Sequence, residues 1–142
     1  MISRREALIR DILMRCQAAV APVTVLRQPT TALPREQTPV LIVTVISDVP
    51  VKRSNDRMER ELVVRIIAHV RDPTDGYGVA DDLLCRVHRG LLADPSLGGL
   101  ALSLDEMDAD YQSEDADGEA IAIPAAYRIT YRTLVSDLSA GG

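Results

Sequence analysis

The residues from Met58 to Val70 read MERELVVRIIAHV, and their alternation sets the fold class. Met58, Leu62, Val64, Ile66, Ala68 and Val70 share one side of an extended chain with Arg60, while Glu59, Glu61, Val63, Arg65, Ile67 and His69 share the other. The first side is nearly all apolar, as a half-buried strand requires. At ~3.3 Å per residue the run reaches ~43 Å, more than twice the usual strand length. Upstream, Val40–Ser47 (VLIVTVIS) is rich in β-branched residues and apolar on both faces, the pattern of a central strand covered on two sides. The two runs predict a hairpin, with Pro50–Asp56 as its charged turn region and the polar end, Val51–Glu61, projecting beyond the sheet.

Outward from this hairpin the chain alternates helical and extended patterns. Toward the N-terminus, Leu8, Ile9, Ile12, Leu13, Cys16 and Val20 recur at three- and four-residue intervals, which predicts an amphipathic helix from Ser3 to about Val20. Ser3 is placed as N-cap and Glu6 as the return half of a capping box, with Pro22 as the terminator. Val23–Arg27 reads as a short strand, and Gln28–Thr38, broken by Pro29 and Pro34, as a loop. Toward the C-terminus, Asp72–Gly76 reads as a turn and about Gly78 to Leu92 as a second helix, buried along Ala80, Leu83, Leu84, Val87 and Leu91. A strand is expected from near Gly99 and a last one over Ala120–Leu134, joined by a tight turn at Asp117–Gly118. Pro124 argues that this last strand is an edge or is bulged there.

The order helix, three strands, helix, two strands predicts an α+β two-layer sandwich: a mainly antiparallel sheet of about five strands, two helices on one face, and the long projecting hairpin. The expected division is one domain over 1–136 and a short flexible tail over 137–142. With 142 residues, 46% of them apolar, the chain can build its own core, and no apolar run approaches the ~20 residues that span a bilayer. A cytoplasmic protein without a membrane segment is the expectation.

Chemistry-bearing motifs are sparse. Cys16 and Cys85 lack CxxC spacing and read as small buried hydrophobes. His69 and His88 read as boundary side chains, and no nucleophile elbow, P-loop or dinucleotide fingerprint is present. An enzyme would have to work from Asp81, Asp82 and His88 on one helix, with no nucleophile in reach. Neither an enzyme nor a cofactor is expected. The chain has no Trp or Phe and only 4 Tyr, too little aromatic surface for base or sugar stacking, so no specific nucleic-acid partner is expected. Between Asp105 and Glu119 eight carboxylates occur without a basic residue, but the spacing of a calcium loop is missing, and the segment reads as a solvated acidic hairpin or an electrostatic docking surface.

Charge is the one pronounced asymmetry. Residues 1–71 carry 12 basic and 7 acidic groups, whereas residues 72–142 carry 4 basic and 14 acidic groups, so a net charge of −5 conceals halves of +5 and −10. Such a chain satisfies its charges within the fold, or meets copies of itself with positive side against negative. The basic groups are 15 arginines and Lys52, and arginine suits carboxylate pairing at interfaces. The candidate contact residues are Lys52, Arg53, Arg57 and Arg60 on the hairpin, opposite Asp105, Asp108, Asp110, Glu114, Asp115 and Asp117 in the acidic segment.

The whole layout resembles a known family. The early helix with its Pro-broken loop, the strand pair Val40–Ser47 and Met58–Val70, the helix containing Ala80–Asp81–Asp82–Leu83–Leu84 and the final Tyr127–Arg128–Ile129–Thr130–Tyr131–Arg132–Thr133 strand are similar to the tail terminator (tail completion, minor tail) proteins of long-tailed phages and prophages. The likeness covers about residues 1–136 and rests on size and element order. It implies a structural virion protein: a homo-oligomeric ring, usually a hexamer, that caps the tail tube protein and offers a docking surface to the head–tail connector protein. The implied location is the cytoplasm during assembly and then the virion tail or a prophage-derived tail-like particle. Other small head–tail joining or tube-type virion proteins share the plan, and a protein-binding module with no phage role would also carry a surface hairpin.

Overall fold

The computed structural model describes residues 1–28, 38–72, 74–110 and 120–141. The elements follow the order α1 (Arg4–Val20), β1 (Thr24–Arg27), β2 (Val40–Ser54), β3 (Arg57–Val70), α2 (Gly76–Leu92), β4 (Ser103–Met107) and β5 (Ile121–Leu134). The five strands form one sheet in the order β1-β2-β3-β5-β4, parallel between β1 and β2 and antiparallel elsewhere. The fold is the expected α+β sandwich.

α1 starts where Ser3 Oγ accepts the Glu6 backbone N–H at 3.0 Å, the first half of a capping box. Glu6 Oε2 turns away from the helix start to accept from Arg27 Nη1 at 2.7 Å and Arg10 Nε at 3.0 Å. Two guanidinium groups draw a carboxylate more strongly than one amide N–H does. Leu8, Ile9, Ile12, Cys16 and Val20 are buried along α1, and Ala80, Leu83, Val87 and Leu91 along α2. Both stripes pack on one side of the sheet, against Leu41 and Val43 of β2, Leu62 to Val70 at alternate positions of β3, and Tyr127, Ile129 and Tyr131 of β5. The helices meet closely at Gly90, where an added Cβ would lie 3.2 Å from Ala19 Cβ. Gly76–Tyr77–Gly78 opens α2, and Gly76 is buried beneath Ile121.

The hairpin departs from the expectation in two ways. First, β2 continues through Pro50 to Ser54, so the turn is only Asn55–Asp56, with Asn55 in the left-handed region at φ 58°. Its register shifts at Val45/Ser47 and Pro50/Lys52, the irregularities that let an edge strand hold proline. Second, β3 pairs with β5 along its whole length, from Arg57↔Leu134 to Val70↔Ile121. The end of the sheet around Val51–Glu61 is therefore three strands wide, not a two-stranded arm. β1 pairs with β2 only over Val40–Val43, and β4 with β5 only over Ala126–Thr130, so the end lies beyond both. Pro124 sits in a strand with two neighbours, yet outside the stretch paired with β4, which accommodates its missing N–H.

Residues after 136 return to the body of the domain. Leu138 O accepts from Arg4 N at 2.8 Å and Ala140 O from Leu134 N at 3.1 Å, which fastens the segment read as a tail against the start of α1 and the end of β5. The acidic turn expected at Asp117–Gly118 and most of the loop 28–38 lie outside the described residues.

Candidate assembly interface

The sheet has one helix-covered face and one open face, and the β2–β3 register divides the four basic candidates between them. Lys52 lies opposite Glu59 and Ser54 opposite Arg57, all on the open face, because cross-strand partners project to the same side. Arg53 pairs with Met58 and Arg60 with Tyr131, on the side that carries the helices. Arg132, opposite Glu59 on β5, joins Lys52 and Arg57 on the open face, where with Ser54 and Glu59 they line a shallow pocket of ≈ 190 Å³. Sequence reading omitted Arg132 because only the register brings it beside Glu59, 73 positions earlier.

Arg53 and Arg60 are already engaged. Arg53 Nε donates to the Asn55 carbonyl at 3.0 Å and Arg60 Nε to Thr133 Oγ1 at 3.0 Å. Beneath Arg60, the Tyr131 hydroxyl lies 2.9 Å from both oxygens of Asp48, whose side chain is only 10% exposed and also accepts from Arg5 Nη1 at 3.2 Å. This network joins α1, β2 and β5. Burial, then the hydrogen bond to Asp48, pushes the Tyr131 phenol well above its ordinary range.

On the opposite edge Asp105 of β4 is exposed, as is Asp108 just after it, whereas Asp110, also exposed, lies beside Arg65, Ile67 and Pro124 over the open face. Asp105 lies 3.8 Å from Arg128 Nη2 and accepts from Ser103 Oγ at 3.4 Å. Glu114, Asp115 and Asp117 lie outside the described residues. Among the described residues no group of His, Cys, Asp and Glu is arranged to hold a metal ion.

Asp81, Asp82 and His88 go to different partners. Asp82 pairs with Arg86 at 3.0 Å, Asp81 lies 3.9 Å from Cys85 Sγ, and His88 turns to the sheet, with Nδ1 2.9 Å from the Tyr127 hydroxyl and Nε2 3.8 Å from Glu106. A cleft of ≈ 820 Å³ lies beside these groups, between Leu84, Cys85 and His88 of α2 and Met107, Pro124 and Tyr127 of the sheet. Burial, followed by the nearby Glu106 charge, pushes the Tyr127 phenol up to about 12. The cysteines separate: Cys16 is buried, which pushes its thiol up to about 12, whereas Cys85 is exposed, against the expectation of two buried hydrophobes. Cys85 follows Leu83 and Leu84 in sequence, but the 100° step of the helix carries it off the buried stripe.

Comparison with known proteins adds no relative: no family model and no curated protein matches this chain. No helix among the described residues is long and apolar enough to cross a membrane.

Proposed function

We infer that this protein is a structural subunit of a phage or prophage-derived tail, a terminator that assembles as a ring, caps the tail tube and offers its outer surface to the head connector. The observation that carries the reading is the separation of charge across one rigid sheet. Lys52, Arg57 and Arg132 gather at one end of its open face, and Asp105 lies on the far edge with Asp108 just after it. A subunit with opposite charge at two distinct sites is suited to a heterologous contact, which repeats around a ring until it closes. In this reading the chain works in the cytoplasm during assembly and in the particle afterwards, with no catalytic step.

Native mass spectrometry and light scattering from micromolar to millimolar concentration, with and without the cognate tail-tube protein, test this reading. One closed stoichiometry, in the chain alone or templated by the tube protein, is the expected result. A monomer under both conditions, with no association with the tube protein, would overturn it.

A further inference from the structure

The two outer edges of the sheet stand at the same height and run in opposite directions. Following the register across the strands, Ser103 of β4 is level with Thr130, Glu61 and Val49, and Met107 with Ala126, Arg65 and Thr44. β4 thus stands at the height of Thr44–Val49, the stretch of β2 that begins just after β1 ceases to pair. Among the described residues, no strand pairs with the outer side of either stretch. Three successive antiparallel pairings make β4 run opposite to β2, so a copy placed edge to edge continues the alternation of the sheet without inversion.

Both edges also carry exposed apolar side chains. Of the ten exposed large hydrophobic residues among the described residues, Ile46, Val49 and Val51 lie on the β2 edge, and Leu102 and Met107 on or next to β4. Half of the exposed apolar anchors therefore fall on two edges of a single sheet. Lys52 follows the first group and Asp105 lies within the second, both toward the open face and ~13 Å apart along the strands in this register. Opposite charge steers such edges toward each other, and the apolar groups hold the contact once water is excluded. Pro50 and the two register shifts prevent a full main-chain ladder on β2, so side chains carry the contact.

We propose that the occupant of the β2 edge is a second copy of this chain, its β4 edge lying antiparallel beside Thr44–Val51. This rests on the ring reading and names the surface that closes the ring. The test uses a Cys85→Ser background, which removes the exposed thiol, and two variants, Val49→Cys and Ser103→Cys, of which one carries a mass tag. A short bis-maleimide is added to each variant alone and to their mixture, with circular dichroism confirming that both fold. Cross-linking in the mixture but in neither variant alone is the expected result. Cross-linking of Val49→Cys with itself would mean like edges meet and would overturn the proposal. Rings seen by native mass spectrometry without cross-linking would overturn the edge contact and leave the ring reading standing. Monomers with or without the tube protein would overturn both.

Discussion

Tyr131 shows how much one hydroxyl can hold. Its contact with Asp48 joins β5 to β2, and Asp48 in turn holds Arg5 of α1, so Tyr131→Phe leaves a nearly buried carboxylate short of a donor. A loss of about 1–3 kcal/mol is expected, read as a lower urea midpoint with an unchanged slope. An unchanged midpoint would mean that Asp48 finds water in its place. Leu97 is a second such point, fully buried in a left-handed conformation at φ 48° within the loop that Asp94 braces through Ser96 and Gly98. Leu97→Ala should cost about 2–5 kcal/mol in the same assay. The pH dependence follows from the buried groups. Cys16 and Tyr127 hold their protons to about 12 when folded, against ordinary values of 9.0 and 10.0, so the unfolded chain releases protons first. Their contribution is complete below about pH 9 and is lost as pH rises toward 12, and Tyr127→Phe should flatten that decline in denaturation curves measured at pH 8 and 11. On the acid side the sign reverses. The hydrogen bond from Arg27 holds Glu6 below its usual 4.5, so its contribution is present above that pH and falls as acid protonates it.

At the scale of elements, α1 and α2 depend on a small residue where they cross. Gly90→Leu would drive a side chain into Ala19 and should lower stability by about 1–3 kcal/mol, seen as a lower thermal midpoint. Both helices, the β3 alternation and the core stripes were legible in the sequence because each buries one face and so repeats with the period of its backbone. The full length of β2 was not. Beyond Asp48 its side chains are all exposed on an edge, so nothing forces alternation, and a strand there looks like a polar turn. The same cause hid how the candidate contact residues are arranged. Lys52, Arg53, Arg57 and Arg60 are close in sequence, but which face each takes depends on the register shifts in β2 and on a partner strand 70 residues away. Glu6 was read as closing the capping box because Arg27, which draws its carboxylate, is near it only in the folded chain.

Across the whole molecule, part of the charge asymmetry of the sequence is carried by the sheet, with Lys52, Arg57 and Arg132 together at one end of the open face and Asp105 and Glu106 on the β4 edge. Fields of that kind act over about 8–10 Å at moderate ionic strength, so self-association driven by them should weaken as salt rises from 50 mM to 0.5 M, measured by sedimentation velocity. Association indifferent to salt would assign the contact to the apolar groups alone. Arg57→Glu is the cleaner charge reversal, because Arg57 is exposed on the open face, whereas Arg60→Glu would also set a carboxylate beside Thr133 and Tyr131 and disturb the fold. The central claim is a ring that seats on a tail tube. Electron microscopy of the chain incubated with its cognate tail-tube protein tests it most directly: annular particles of one diameter, seated at one end of the tubes, are predicted, and tubes left uncapped among dispersed monomers would contradict it.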